Sequence, residues 1–265
     1  MGKLLKRSIS GLVYSMLFIG AILYSKETYL ILISTFGFIC IWEFLKLLSL
    51  KNIAPYILFL TLISLLFSSY DTPLLIDVLL ILCLSGSIQL LVNLFRNKNE
   101  YPSSSFQKLD ISVRYLLLSF IFLMILPFKN GEYEESIILL LVVFVWSNDS
   151  FAFFVGKNLG KKKLFESVSP NKTVEGFIGG FFFTLIIAII ISKYIDFLSI
   201  TQGVIIALMV SCFGTLGDLV ESKFKRQVNL KDSGNLMPGH GGLLDRLDSL
   251  LFVSPFVYLY IHYLI

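Results

Sequence analysis

The sequence predicts an all-α fold, a polytopic bundle of membrane-spanning helices. Hydrophobic residues make up 56% of the 265 residues, and charged residues make up only 15%. The mean hydropathy is +0.82. Apolar runs of roughly 20 residues, the length that crosses a hydrocarbon core of about 30 Å, recur along the whole chain. This composition excludes an ordinary soluble domain, and the modest net charge of +4 gives no reason to expect a nucleic acid partner.

Nine apolar runs can be delimited, and we expect each to be one transmembrane helix. In chain order they cover residues 8–25, 28–48, 53–70, 73–95, 109–127, 134–155, 174–192, 197–220 and 249–265. The first run follows a basic start, as the apolar part of a signal peptide does. No small-residue cleavage site follows it, so an uncleaved helix is expected. Pro55 and Pro73 mark helix starts.

The distribution of Lys and Arg predicts the orientation of these helices. If the N-terminus lies in the cytoplasm and the helices alternate, 18 of the 22 basic residues fall in cytoplasmic segments. Three fall in outer segments, and Arg114 lies within a run. Basic residues are enriched in the cytoplasmic loops of membrane proteins. We therefore expect an N-in, C-out, multi-pass protein of the cytoplasmic (inner) membrane.

A polar segment at 222–248 interrupts the apolar pattern near the C-terminus. Its glycines flank His240, and glycine readily adopts the positive φ angles with which backbone N–H groups can face an anion. Asp245 and Asp248 are three residues apart, so on a helix they share a face and can hold one divalent cation. A basic loop beside a membrane span is usually a topology signal. That explanation covers the Lys and Arg residues but not the glycine run or the Asp pair.

Upstream of this segment, polar residues recur at helical spacing. Asp218, Glu221, Ser222 and Lys225 fall at i, i+3, i+4 and i+7, which predicts a polar stripe along one helix. Carboxylates suit a metal ion and cations suit phosphates. Together with the glycine turn, they predict a metal–nucleotide site.

A second group of polar residues lies at 146–180. Asp149 is within an apolar run, where a carboxylate is costly and marks a functional site or an ion partner. The segment 169–173 opens the next helix and includes Lys172, and helix N-termini favour anions. Glu175 is equally well explained as a helix cap. The glycines at 176, 179 and 180 are best explained by close helix packing.

Glu43 is an acidic residue inside the second run, toward its cytoplasmic end. It could line the site, although an ion pair with a neighbouring basic group is the simpler explanation.

Both groups of residues resemble the signature of the phosphatidate cytidylyltransferases, also called CDP-diacylglycerol synthases. The polar segment matches it at Ser222, Phe224, Lys225, Arg226, Lys231, Asp232, the run 238–242, Asp245, Arg246 and Asp248. Met237 stands where the family usually has Leu, Ile or Phe. The upstream group matches at 149–152, at Gly156 and Gly160, and at 169–176, with departures at Phe153, Asn171 and Val174. The resemblance is specific over about 145–250.

The resemblance implies transfer of a cytidylyl group from CTP to phosphatidate, giving CDP-diacylglycerol and pyrophosphate for phospholipid synthesis. It implies Mg²⁺ as cofactor, with one or two ions held by Asp218, Asp245, Asp248 and Asp149. The residues expected to carry the reaction are Asp218, Asp245, Asp248, Lys225 and Arg246. The residues expected to bind substrate are Lys172, Ser222, Arg226, Lys231, Asp232, Gly239, His240, Gly241 and Gly242.

His240 invites assignment as a general base, but the substrate does not need one. A phosphate monoester has its second pKa near ~6, so it is already a competent nucleophile at neutral pH. We expect His240 to donate a hydrogen bond in the glycine turn.

The polar connector at 96–108 divides the chain into two regions. Residues 1–108 are expected to form N-terminal transmembrane helices with a cytoplasmic connector, and residues 109–265 the C-terminal catalytic region. The expected partners are CTP, phosphatidate and membrane lipid, with the chain either a monomer or a homodimer. Two rival functions stay open: a related CTP-dependent lipid-alcohol kinase or ether-lipid cytidylyltransferase, and, more remotely, a cation-coupled transporter.

Overall fold

The computed structural model describes residues 3–67, 73–96, 101–129, 131–195, 197–237, 239 and 241–265, and the side chains from residue 8 onward. These residues are mainly helical, and the β-structure among them consists of two short antiparallel pairs of strands and one isolated bridge. The predicted all-α fold class is confirmed.

The helices are numbered in chain order. They are α1 (Lys3–Tyr24), α2 (Lys26–Leu47), α3 (Ala54–Leu66), α4 (Pro73–Phe95), α5 (Ser105–Ile111), α6 (Leu118–Ile125), α7 (Glu135–Leu159), α8 (Val174–Ile191), α9 (Ile200–Met209), α10 (Thr215–Gln227) and α11 (Leu244–Leu259). π-Helical segments join α5 to α6 (Ser112–Leu117) and α9 to α10 (Val210–Gly214), and a third extends α11 (Tyr260–Leu264). The strands are β1 (Phe128–Lys129), β2 (Glu132–Tyr133), β3 (Lys163–Phe165) and β4 (Ser169–Thr173).

Six helical segments of the described chain are long and apolar enough to cross a membrane. They are Lys26–Leu47, Pro73–Phe95, Glu135–Leu159, Val174–Ile191, Ile200–Gln227 and Leu244–Leu264. The apolar helices Ser8–Tyr24 and Ala54–Leu66 are shorter. The polytopic character is therefore confirmed, whereas nine crossings and the N-in, C-out orientation remain predictions.

Two helices extend beyond the apolar runs that predicted them. The run expected to end at 220 continues as helix to Gln227, and the run expected to begin at 249 already begins at Leu244. Hydropathy marks the part of a helix that suits lipid, but backbone hydrogen bonding continues through polar residues. The polar residues of the C-terminal segment consequently lie largely on helices.

Contacts between remote segments define two ends of the bundle. At one end, Glu43 accepts backbone hydrogen bonds from the start of α11, and the Lys223 ammonium group contacts backbone carbonyls at the end of α4. At the other end, the Tyr133 hydroxyl donates to the carbonyl of Ile22 at 3.0 Å. The long polar loops that precede α8 and α11 both lie at the first end.

Helices α7 and α8 pack closely because small residues face each other. A Cβ atom added at Gly179 would lie 2.6 Å from Val155 Cβ, and one added at Gly156 would lie 3.4 Å from Gly176 Cα. This confirms that these glycines permit close helix packing.

Candidate active site

A cavity of about 610 Å³ opens among α7, α8, α10 and the first turns of α11, a volume that suits a small-molecule ligand. Its lining contains five carboxylates and four cationic side chains. They are Asp149, Asp218, Asp232, Asp245, Asp248, Lys157, Lys172, Lys225 and Arg246. Such a density of charge inside a bundle of apolar helices is typical of a functional site.

The cavity brings together most of the charged residues predicted from sequence. Those that line it are Asp149, Lys172, Asp218, Lys225, Asp232, Asp245, Arg246 and Asp248. The lining does not include Ser222, Arg226, Lys231, Gly239, Gly241 or Gly242. His240 lies outside the described residues.

Lys172 forms an ion pair across the cavity with Asp218. Its ammonium nitrogen lies 2.5 Å from Asp218 Oδ2, and Ser222 Oγ donates to Asp218 Oδ1 at 3.1 Å. Burial lowers the pKa of Lys172, but the Asp218 carboxylate and two further carboxylates, Asp149 and Asp248, outweigh burial. The pKa of Lys172 is therefore raised above its ordinary value. Ser222 acts on the site through Asp218.

Lys225 links two acidic residues on neighbouring helices. Its Nζ donates to Asp245 Oδ1 at 2.6 Å and is ion-paired with Glu221, one turn earlier on α10. Glu221 is fully buried and Lys225 nearly so. A buried cation between two carboxylates fixes α10 against the start of α11, because leaving any of the three charges unpaired would be costly.

The second oxygen of Asp245 is held by the preceding loop. Asp245 Oδ2 accepts hydrogen bonds from Ser233 N at 2.9 Å, Ser233 Oγ at 3.1 Å and Gly242 N at 2.8 Å. Asp245 therefore has protein partners at both carboxylate oxygens. It orders the loop as well as facing the cavity.

The glycine turn adopts the backbone conformation expected for it. Gly239 and Gly241 have φ angles of +79° and +94°. Met237 N donates to Gly241 O at 2.9 Å, which closes the turn. The anion that this turn meets in the structure is the Asp245 carboxylate, through Gly242 N.

Arg226 lies at the surface of the bundle, where it donates to backbone carbonyls. Its Nε donates to the carbonyl of Val168 at 3.2 Å and its Nη1 to that of Leu230 at 3.0 Å. These contacts fasten the β3–β4 turn to the end of α10. Lys231 is exposed in the loop that follows.

The donor chemistry of the cavity fits a hard divalent cation, because carboxylate oxygens are the ligands that Mg²⁺ prefers. Among the described residues, however, no three acidic, His or Cys side chains form a ready ion site. Lys172 and Lys225 instead neutralise Asp218 and Asp245. Asp248, which accepts a hydrogen bond from Ser249 N at 2.7 Å, lines the same cavity and is not ion-paired to a base within the described residues.

Two residues with defined roles were not assigned from sequence. Ser233 donates to Asp245, as described above, and nothing in its local sequence distinguishes it from other loop serines. Among the residues that the structure describes, Glu43 neither lines the cavity nor pairs with a basic group, contrary to both explanations weighed for it. Its carboxylate accepts hydrogen bonds from Leu243 N and Leu244 N at 3.1 and 2.8 Å. The sequence feature that could have singled out Glu43 was its position as a carboxylate inside an apolar run.

Glu175 holds the loop that follows α7. Its carboxylate accepts hydrogen bonds from Lys161 N at 2.9 Å and from Lys162 N at 3.1–3.2 Å. The N-cap of α8 is instead Thr173, whose Oγ1 accepts from Gly176 N at 3.1 Å.

Comparison with known proteins places the whole chain within one family. Residues 5–264 match the model of the cytidylyltransferase family. A phosphatidate cytidylyltransferase of Bacillus subtilis is 35% identical over 261 residues, which cover 96% of both chains. Proteins of the same name from Staphylococcus saprophyticus and Staphylococcus aureus are 40% and 41% identical over 160 residues, 60% of each chain.

Proposed function

The chain belongs to the cytidylyltransferase family and is a nucleotidyltransferase, and we propose that it transfers the cytidylyl group of CTP to phosphatidate. The products are CDP-diacylglycerol, a precursor for phospholipid synthesis, and pyrophosphate. The observation that carries this proposal is the similarity to a phosphatidate cytidylyltransferase along almost the entire chain. The charged cavity supports it, because most of the charged residues that match the family signature line it.

The reaction needs little covalent chemistry from the protein. A phosphate oxygen of phosphatidate attacks the α-phosphorus of CTP and forms a new P–O–P bond. The bond from that phosphorus to the bridging oxygen of the β-phosphate breaks, and pyrophosphate leaves with the oxygen. Two polyanions must be brought together, so positioning and charge neutralisation account for most of the catalysis.

The cationic side chains of the cavity are suited to this neutralisation. Lys172, Lys225 and Arg246 line the cavity and can each donate to phosphate oxygens. Lys172 and Lys225 are ion-paired with the carboxylates of Asp218 and Asp245. A bound polyphosphate would compete with Asp218 and Asp245 for Lys172 and Lys225. Substrate binding would therefore release carboxylate oxygens from these ion pairs.

Asp218, Asp248 and Asp149 are the residues that we assign to a divalent cation, with Asp245 as a further ligand. When bound, Mg²⁺ would neutralise phosphate oxygens and favour departure of pyrophosphate. Asp245 also accepts hydrogen bonds from Ser233 and Gly242, so it has a second role in ordering the loop before α11.

The cavity is expected to face the cytoplasm. CTP is a cytosolic nucleotide and phosphatidate is anchored in the membrane, so the site must lie where the two compartments meet. The predicted orientation places the loops before α8 and α11 on the cytoplasmic side, and both contribute to the cavity or its rim.

Purified protein incubated with CTP, phosphatidate and Mg²⁺ tests the function. Formation of CDP-diacylglycerol and pyrophosphate in equal amounts is expected. The kinase alternative would instead give CDP and a phosphorylated lipid alcohol when a long-chain alcohol replaces phosphatidate. An ether-linked phosphatidate is assayed in parallel. If the protein uses it much faster than the ester-linked lipid, the result favours the ether-lipid cytidylyltransferase.

A further inference from the structure

Glu43 connects the N-terminal part of the chain to the candidate active site. It lies near the end of α2, is 0% exposed, and its carboxylate accepts hydrogen bonds from Leu243 N and Leu244 N. These groups lie 200 and 201 residues further along the chain, where α11 begins. The first N–H groups of a helix lack partners within the helix and carry partial positive charge, so a buried carboxylate is stabilised there.

The contact with Glu43 extends to Asp245 through Ser233. Ser233 Oγ lies 3.4 Å from Glu43 Oε2 and 3.1 Å from Asp245 Oδ2, so its single proton can be donated to either carboxylate. Ser233 N and Gly242 N donate to the same oxygen of Asp245. Glu43 and Asp245 therefore hold opposite sides of one loop.

Two glycines of this loop leave space for the Glu43 carboxylate. A Cβ atom added at Gly242 would lie 2.7 Å from both carboxylate oxygens of Glu43, and one added at Gly234 would lie 3.0 Å from its Cδ. Real Cβ atoms do not approach polar atoms this closely, because packed interiors leave little free volume. A larger residue at either position would therefore displace the Glu43 carboxylate, and at Gly242 it would displace Ser233 Oγ as well.

We propose that Glu43 is a positioning residue for the transfer reaction. From α2 it fixes the loop at 233–242 and the first turn of α11, and thereby the direction in which Asp245 presents its carboxylate to Lys225 and the cavity. Glu43 does not line the cavity, so it acts through Ser233, Gly242 and the α11 backbone. This role rests on the proposed function, since it is defined by the geometry that the reaction needs.

The first test is Glu43→Gln, which keeps the size of the side chain and replaces one acceptor oxygen by a donor. One of the two backbone N–H groups then loses its acceptor. We expect kcat to fall on the order of 10- to 100-fold, because small displacements of catalytic groups have effects of this size. The KM values for CTP and phosphatidate should stay within about twofold. A kcat above half of the wild-type value, normalised to folded protein, would overturn the proposal.

The second test keeps Glu43 and disturbs its position. In Gly234→Ala the new methyl group meets the Glu43 carboxylate, whereas in the control Gly20→Ala no atom lies within 4 Å of it. We expect Gly234→Ala to lower kcat as Glu43→Gln does, and the double variant to lose little more than Glu43→Gln alone. Fully additive losses would contradict a shared role. If Glu43→Gln does not fold, the kcat of Gly234→Ala is compared with that of Gly20→Ala. Equal kcat values would then overturn the proposal.

Hydrogen exchange separates failure of this proposal from failure of the proposed function. Backbone amides at 233–244 should exchange faster in Glu43→Gln than in the wild type, and those of α8 should not. If the wild type makes no CDP-diacylglycerol but exchange at 233–244 is faster in Glu43→Gln than in the wild type, the proposed function is refuted. Glu43 then remains the anchor of the loop. Unchanged exchange at 233–244 would refute the anchor.

Discussion

At the scale of single residues, the charges of the cavity are balanced against one another. Asp218 is paired with Lys172, and Asp245 is paired with Lys225. A change in one member of such a pair alters the charge balance of its partner, although Lys225 would keep Glu221 if Asp245 were replaced. Substitutions at these positions therefore report on substrate binding only when folding is measured alongside activity.

We expect Asp218→Asn and Asp248→Asn each to reduce kcat at least about 100-fold. The amide is nearly isosteric with the carboxylate but lacks the charge that a divalent cation requires. The measurement is the initial rate of CDP-diacylglycerol formation, with thermal unfolding in detergent as the check on folding. Asp77→Asn is the matched control, because Asp77 contacts Tyr263 at the opposite end of the bundle. Near-normal turnover in Asp248→Asn would remove that residue from the cation site.

Removal of divalent cations should abolish turnover reversibly. Treatment with EDTA is expected to silence the wild-type enzyme, and added Mg²⁺ should restore it. The carboxylates of the cavity provide the oxygen ligands that such an ion prefers. Activity that persists after exhaustive chelation would refute metal dependence while leaving the transfer reaction itself in place.

Lys172→Met should lower kcat/KM by about 10-fold or more, whereas Lys172→Arg should retain most of it, because charge is what the phosphate requires. The pKa of Lys172 is raised in the folded protein. Its charge is therefore fully present below the ordinary value of about 10.4 and is lost only as the pH rises through the raised value. The pH–rate profiles of wild type and Lys172→Arg should coincide between about pH 6 and 9. An alkaline loss within that range, present only in the wild type, would contradict this.

Most of the charged residues that line the cavity could be picked out from the sequence, but their partners could not. Asp149 could be selected because a carboxylate is conspicuous in an apolar run, and Asp218 and Asp248 because they recur with other polar residues at helical spacing. The pairing of Lys172 with Asp218 could not be predicted, since it joins β4 to α10 and depends on how the two segments pack. The Gly242 N–H was expected to face a substrate phosphate, but it donates a hydrogen bond to Asp245 Oδ2.

At the scale of elements, the contact between α7 and α8 forms one wall of the cavity and depends on glycine. We expect Gly179→Ala to destabilise the protein by about 1–3 kcal/mol, because the added methyl group would overlap Val155. Gly20→Ala, where no atom lies within 4 Å of the added group, should be close to neutral. Thermal unfolding in one detergent compares the two. Equal midpoints for both variants would show that the helices can shift apart without cost.

Helix positions were predicted well and helix ends poorly. The run predicted at 73–95 coincides with α4, Pro73–Phe95, because Pro73 and the apolar run both mark the start. The start of α11 at Leu244 was not predicted, because its first turn contains the Asp and Arg residues of the site. There the helix N-terminus is stabilised by Glu43, from a distant part of the chain. A local pattern cannot contain that information.

At the scale of the whole molecule, the polar segments of the C-terminal half gather at one end of the bundle. The loops before α8 and α11 and the end of α2 meet there, whereas the Tyr133–Ile22 contact lies at the other end. The cavity itself is lined by residues between 148 and 248, and α2 of the N-terminal half contacts this end through Glu43. The family match likewise covers both halves of the chain, residues 5–264.

The orientation of the bundle decides whether this end can receive CTP. Eighteen of the 22 basic residues lie in segments assigned to the cytoplasm, and the cavity opens among segments of that set. A reporter fused after Ile265 should therefore read as external, and one inserted in the connector 96–108 as cytoplasmic. Wild-type activity of each fusion is the control for correct folding. A cytoplasmic signal after Ile265 would contradict nine crossings. An external signal at 96–108 would place the cavity away from cytosolic CTP and refute the proposed cytoplasmic site.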